Sequence, residues 1–520
     1  MPKQDEQVEG EEFLFEACAS EESLTLYWDK PKAAHGLTFY RLELSDGQCI
    51  EVESTHAKVE SLQPETKYQV ELSMRSGEGE PWICIGSKAF ATGIRKRRID
   101  ITQAPYLAVG DGQTLNTAAI QQALDDCGPQ ERVVIPQGVF MTGALRMHSC
   151  SELYVSLGAV LQGTANPSDY EPLIASRFEG IEMDCYSSLI NIGYMDHTRP
   201  ADTHSVVLRG GGTIASGGRQ LMDKVIAVQS ERLKEQMNSD DTAYDTPETV
   251  PARTRPRLIN VSNAFDVEMA DLTFADSASW NIHMIYSHNI VTHDCQVRSL
   301  GVWNGDGWDP DSCENCALFG TAFDTGDDMV AIKSGKNPQG NEINRPSKHI
   351  RVFDCTSTHG HGISLGSEMS GGIEDVRIWD CDITQSFYGI HIKSTAKRGG
   401  YIRNVSVRDC QLAQVAIHAV GYNDDGSSGP GEPKIEHLRF EGLRILGRFW
   451  GPADEVFPTP AILIQGFEGP EHLASDIVFS DIDLAGVPSG TGRIEMDNCT
   501  GVTLEHVSCR HAPTTNIIRM

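Results

Sequence analysis

The chain has 520 residues, 39% of them hydrophobic, more than one core commonly holds, so two domains, or a domain joined to an elongated solenoid, are expected. No stretch approaches the roughly 18–20 apolar residues of a membrane span, and the start, Met1-Pro-Lys-Gln-Asp-Glu-Gln7, lacks the apolar core of a secretory signal; a cytoplasmic protein is expected, or a periplasmic or secreted one if a leader has been removed. With 73 acidic against 43 basic residues the formal charge is -30, which repels nucleic acid and anionic membranes, so neither is expected as a partner and a polyanionic substrate needs a local basic patch.

Residues 11–94 alternate as short strands, with Leu24, Leu26 and Trp28 on one face, then Tyr40, Leu42 and Leu44, then Tyr68, Val70 and Leu72. Asp46-Gly47 and Gln63-Pro64-Glu65 place turns between the runs. An early tryptophan with a tyrosine after the second turn is the corner arrangement of immunoglobulin-like sandwiches, and the stretch resembles a fibronectin type III module. It lacks the planar row of aromatics that sugar stacking needs, so a spacer or wall is the expected role. The basic Arg95-Lys-Arg-Arg98 reads as a linker, and a second domain is expected over 99–520. There Asn116 is placed as the N-cap of a helix with the apolar stripe Ile120, Ala123 and Leu124. Another helix, Leu221 to Gln236, falls in an excursion from about Ala201 to Pro256 that includes the polar run from Asn238; long excursions form lids, walls or binding loops.

Repeats indicate the architecture. Asp294-Cys295, Asp354-Cys355, Asp380-Cys381 and Asp409-Cys410 follow alternating runs such as Ile350-x-Val352, Val376-x-Ile378 and Val405-x-Val407, and the last three cysteines lie 26 and 29 residues apart. A period of this size, built from short strands and turns, predicts an all-β solenoid whose coils bury their apolar residues by stacking; the hairpin spacing of a propeller is not visible. Fourteen cysteines over this length are too sparse for a disulfide scaffold and read as reduced core thiols. Cys313-x-x-Cys316 has no second Cys/His pair at zinc spacing, so no structural metal is expected.

Four short sequences carry chemistry: Asn304-Gly-Asp306-Gly-Trp-Asp309, Gly326-Asp327-Asp328, Gly360-His361-Gly362 and His391-Ile-Lys393. Each lies about one coil from the next, which predicts that they stack on one face. Thr321 and Cys355 hold equivalent strand positions, and counting forward gives Asp327 and His361 the same offset. Carboxylates held together raise one another's pKa, so such a cluster serves proton transfer or a cation such as calcium.

These motifs resemble glycoside hydrolase family 28, the polygalacturonases, from about residue 99 to the end. The family's Asn-Thr-Asp appears as Asn304-Gly-Asp306, its paired aspartates as Asp327-Asp328, its Gly-His-Gly intact around His361, and its Arg-Ile-Lys as His391-Ile-Lys393. The resemblance implies a right-handed parallel β-helix and hydrolysis with inversion, in which Asp327 is the general acid, Asp306 and Asp328 activate water, and His361 tunes the acid or binds substrate. It implies a galacturonate-containing oligosaccharide or polysaccharide as partner, no cofactor and no metal. Asn304, His391, Lys393, Lys397 and Arg398 are the expected substrate-binding residues, because His391 to Arg403 forms a basic island without an acidic residue. Lys393, helped by Lys397 or Arg398, should grip the sugar carboxylate, while His391 offers one donor that is charged only near or below pH ~6.5. The long excursion and the extra domain predict exo-action with release of galacturonic acid. A related pectic backbone, rhamnogalacturonan or xylogalacturonan, is the nearest alternative, and a non-catalytic pectin-binding solenoid the alternative from another class.

Overall fold

The computed structural model describes residues 13–234, 250–422, 424, 426–451, 455–468, 474–484, 494–509 and 517–519. Contacts divide the chain between Arg97 and Arg98 into two units.

The first unit is a sandwich of two antiparallel sheets. One joins Phe15–Ala19, Leu24–Trp28 and His56–Val59; the other joins Cys49–Val52, Phe39–Leu44, Lys67–Arg75 and Ile83–Ala91. Alternation fixes the core, because every second residue of a strand faces the opposite sheet. Leu24, Leu26, Trp28, Tyr40, Leu42, Val70 and Leu72 are buried together. The Tyr68 hydroxyl accepts a 2.8 Å bond from the Gln63 N–H, locking the corner.

The second unit is a parallel β-helix. Each coil places a long strand, a short strand and a third strand in three parallel ladders. Glu314–Phe319, Ser347–Phe353, Ile373–Trp379 and Tyr401–Arg408 stack in the first, and Ala322–Asp324, Thr356–His359, Asp382–Ile383 and Gln411–Leu412 in the second. Trp308–Asp311, Val330–Ile332, Ile363–Leu365, Ile390–Ser394 and Val415–Ala419 belong to the third, a 12-stranded sheet. The Asp-Cys repeat has a physical cause here. Asp294, Asp354, Asp380 and Asp409 take left-handed φ values of 53, 51, 54 and 52°, turning the chain between its long and short strands. Aspartate tolerates that conformation, and the cysteine after it points into the core. Cys313 and Cys316 are core residues too.

Four details depart from the sequence reading. Asn116 precedes the helix Thr117–Asp125, but its side chain bonds the Val109 and Thr114 backbone instead of capping the helix. Thr203–Gly210 and Thr213–Ala215 are ordinary coil strands, paired with Ala264–Ala270 and Thr273–Ala275, so the excursion starts only near Gly217. Its helix spans Gly218–Arg232; Gln236 and the polar run from Asn238 to 249 lie outside the described residues. A second excursion, the antiparallel hairpin Leu173–Phe178 with Ile181–Tyr186, carries no sequence repeat that would announce it.

Stacking makes each inward residue part of a continuous core, so truncation in mid-coil leaves a cavity that neighbouring coils cannot close. Ile378→Ala, at a fully packed position, is expected to lower stability by about 2–5 kcal/mol, measured from the urea midpoint of the β-helix transition.

Candidate active site

The outward face of the 12-stranded sheet gathers the four motifs. Ile282, Trp308, Val330, Ile363 and Ile390 point into the core, so their neighbours in sequence point out. One outward row runs His283, Asp309, Ala331, Ser364, His391; the next holds Asp311, Lys333, Lys393 and His418. Adjacent strands lie about 4.8 Å apart, which puts charges one coil apart within ion-pair reach.

Lys333 stands at the centre of the carboxylates. Its Nζ lies 3.1 Å from Asp306 Oδ2, 3.2 Å from Asp309 Oδ1, 3.8 Å from Glu368 Oε2 and 4.5 Å from the centre of the Trp280 ring. All five side chains are buried. Burial opposes the charge of Lys333, but Asp306, Asp309 and Glu368 outweigh it and raise its pKa. Burial also pushes Asp306 well above the ordinary carboxylate range against the pull of Lys333, and Asp309 up to about 7. Burial would raise Glu368 as well, but Lys333, Arg398 and Lys393 prevail and hold it low.

Asp327, Asp328 and His361 form the open side. His361 Nδ1 lies 3.0 Å from Asp327 Oδ1 and 3.7 Å from Asp328 Oδ1. Asp328 accepts from Ser364 Oγ at 2.6 Å and from Lys393 Nζ at 3.1 Å. Burial tends to raise Asp327, yet the His361 bond and charge, with Lys393 and Lys333, hold it at about 2. His361 moves the other way: burial lowers it, and Asp327 and Asp328 more than compensate, keeping the imidazole charged above pH 6.5. The pair therefore stabilises the fold fully above about pH 4 and below about pH 6.5, and that contribution fades as pH falls through 2 or rises through the raised histidine value. The register differs from the counted one. The turn from Asp324 to Val330 is two residues longer than the one from its partner His359 to Ile363, which sets Val330 opposite Ile363 and brings Asp328, not Asp327, level with His361. Asp327, Asp328 and His361 also offer three ligand atoms within 4.8 Å of one another, a set that suits a cation only once the imidazole is deprotonated.

The expected binding residues separate into two groups. Asn304 and Lys393 stand at the cluster. Asn304 Oδ1 accepts from Arg255 Nη2 at 2.6 Å, and Arg255, from the end of the excursion, lies over the Trp303 ring. Lys393 keeps its charge because Asp328, Tyr422 and Asp327 outweigh burial. The rest of the basic island is engaged elsewhere. Arg398 is buried and donates to the Ser367 carbonyl and to Asn337; Lys397 donates to the Asp424 carbonyl at 2.8 Å; Arg403 pairs with Glu374 at 2.6 Å. His391 is buried under Tyr388, ring centres 3.9 Å apart, with its Nε2 3.2 Å from His418 Nε2. Burial, then Lys393, lowers it well below its ordinary value, which works against the charged imidazole that the expected pH-dependent grip on a carboxylate would need.

With this geometry in place, known proteins supply the comparison. The model of "Glycosyl hydrolases family 28" matches residues 202–430, and that of "Fibronectin type III domain" residues 13–82. A "Probable polygalacturonase" of Vitis vinifera is 33% identical over 412 residues, covering 74% of this chain and 77% of its own. The chain belongs to glycosyl hydrolase family 28. An "Exo-poly-alpha-D-galacturonosidase" of Dickeya chrysanthemi is 26% identical over 94% of this chain and 89% of its own length. The solved family 28 exopolygalacturonase of Yersinia enterocolitica shares the fold with a TM-score of 0.79 at 21% identity, covering 98% of this chain and 97% of that one.

The sequence of this family 28 chain gave no role to Lys333, Asp309 or Glu368, and Arg255 and Arg177 went unmarked. The signal for Lys333 was alternation: Val330-Ala-Ile-Lys333 stacks on Trp308-Asp-Pro-Asp311, which puts an outward lysine beside outward aspartates. Nothing local in sequence marks Arg177, which reaches Asp311 at 2.9 Å from the hairpin.

Removing the central cation strands buried anions. Lys333→Met is expected to cost about 3–5 kcal/mol near pH 8, less toward pH 5 as the carboxylates take up protons, read from urea midpoints across that range.

Proposed function

We propose that the enzyme hydrolyses α-1,4-galacturonosyl linkages with inversion, acting from the chain end to release galacturonic acid. The observation that carries this reading is the Asp327-Asp328 pair held beside His361 and Lys393 on one open face of the β-helix. The likeness to a named exo-poly-α-D-galacturonosidase over 94% of the chain supports the substrate and the mode of attack. Two excursions pack against one end of that face, the hairpin through Arg177 to Asp311 and the helical excursion through Arg255 to Asn304. Closing one end turns a groove into a pocket. A galacturonan polymer is met outside the cytoplasm, so the periplasmic or secreted alternative fits this substrate and the cytoplasmic expectation has no support.

The leaving oxygen needs a proton, and the open side stores one. Asp327 is ionised and His361 charged, so the proton lies on the imidazole side of their 3.0 Å contact. A glycosidic oxygen seated at Asp327 receives it through that carboxyl, which replaces the expectation of an Asp327 held protonated by like charges. Asp306 and Asp328 take the proton of the attacking water. Burial makes Asp306 a strong base once ionised, and Lys333 favours the ionised form. Lys333, Lys393 and the imidazolium supply the positive charge the carboxylates require, and activity is expected to survive EDTA.

Long polygalacturonate is expected to give monogalacturonate from the first minutes, with Asp327→Asn abolishing release; an early ladder of oligomers contradicts exo-action, and no sugar release contradicts hydrolysis. His361→Gln is expected to lower kcat by about 10²–10⁴-fold. In the wild type the rate should fall as pH rises through the raised His361 value, and that limb should move in the variant; an unchanged pH profile contradicts the proton store.

A further inference from the structure

Where the two excursions meet, rings and cations form a line that starts at Lys333 and ends at a ring the proposed chemistry does not use. Lys333 lies against Trp280, and Trp280 stacks on Phe178, from the hairpin, at 4.7 Å between ring centres. Arg255, from the end of the helical excursion, lies 5.4 Å from the centre of the Phe178 ring and 4.7 Å from that of Trp303. Phe178, Trp280 and Arg255 are buried, whereas Trp303 is 56% exposed. Arg255 covers one face of that indole, so the exposure belongs to the other. Arg255 itself donates to the Ala252, Ala278 and Trp303 carbonyls and to Asn304, which fixes the ring from behind. A ring held in place by its neighbours loses little freedom when a ligand lies on it.

The loop that carries Trp303 sits directly on the acid turn. A side-chain carbon at Gly326, next to Asp327, would stand 2.5 Å from the Val302 carbonyl oxygen, so nothing larger than glycine fits between them. Trp303 precedes the strand Trp308–Asp311, while Lys393 belongs to Ile390–Ser394, three coils further on, roughly 14 Å along the sheet. Asp328 and His361 stand in the turns of the two coils between them. Trp303 and Lys393 therefore face sugars on opposite sides of the cleaved bond, and the Trp303 side is the one that the excursions close. In a galactose-configured ring the axial O4 leaves C3–H, C4–H and C5–H together on the opposite face, an apolar patch with positive hydrogens that suits the negative face of an indole. The same sugar carries a carboxylate, which a bare ring would repel, and the Arg255 cation behind the ring offsets that repulsion. Burial lowers Arg255 only to about 10, so the cation persists through the neutral range.

We propose that Trp303 is the platform on which the terminal galacturonosyl unit, the one released, lies by its C3–H to C5–H face. This rests on the exo-hydrolase reading above and names the residue that holds the released sugar. The test titrates the full-length protein calorimetrically with monogalacturonate, the released unit alone, so that binding is read without turnover. Trp303→Leu still covers Arg255 but has no flat face; it is expected to weaken binding about 10-fold and to raise KM for trigalacturonate by a similar factor, with kcat held within about 2-fold. Trp303→Tyr, which keeps a flat ring, is expected to retain most of the affinity. Equal affinity in Trp303→Leu and the wild type, at the wild-type urea midpoint, overturns the platform, and so does an equal loss in Trp303→Leu and Trp303→Tyr. If the wild type releases no monogalacturonate from trigalacturonate while the three affinities keep the expected order, the exo-hydrolase reading fails and the sugar platform stands.

Discussion

Parallel strands stacked in register, one coil above another, are the constraint on which the site depends. Because each coil of the third ladder alternates inward and outward, Trp308, Val330, Ile363 and Ile390 fill the core while Asp309, Lys333, Ser364 and Lys393 are carried out to one surface. The spacing between strands then decides which charges meet. Asp306 and Asp328 stand in the turns just before Trp308–Asp311 and Val330–Ile332, and the long side chains of Lys333 and Lys393 reach back along the sheet to meet them. The turn between Asp324 and Val330 is the local exception, and its extra length places Asp328 level with His361.

Such stacking concentrates like charges, and the buried cations decide whether they can stay. Asp306, Asp309 and Glu368 share Lys333, and the outcome differs with surroundings. Glu368, reached also by Arg398 and Lys393, stays low, while burial wins at Asp306 and Asp309. On the open side the partner is an imidazole, which gives up its proton more readily than an ammonium. The buried half of the cluster thus keeps a lasting cation in Lys333 beside carboxyls that burial disposes to hold protons, and the open half keeps an exchangeable proton between His361 and Asp327. That division suits an acid and a base working on opposite sides of one bond.

Much of this was legible in sequence, for reasons that can be named. The solenoid follows from Asp-Cys pairs one coil apart, because each aspartate is a left-handed corner and each cysteine a core residue. The motif residues Asp306, Asp327, Asp328 and His361 come together because motifs one coil apart must stack. What sequence hides is contact across long separations. Arg177 and Arg255 arrive from excursions with no repeat to count, and Arg398 and Lys397 read as a basic island although the fold uses them on Asn337 and backbone carbonyls. His391 is the clearest case. Its place in the motif suggests contact with substrate, while its neighbours in space, Tyr388 above and His418 on the next coil, bury it.

The account's central claim is that a water activated by Asp306 and Asp328 attacks from the side opposite the proton delivered through Asp327. The stereochemistry of the first product tests this directly. Proton NMR of an α-1,4-linked oligogalacturonide, followed from the moment enzyme is added and before mutarotation, is predicted to show β-galacturonic acid first. The α anomer appearing first would mean a covalent intermediate and retention, and would contradict the division of roles among these carboxylates.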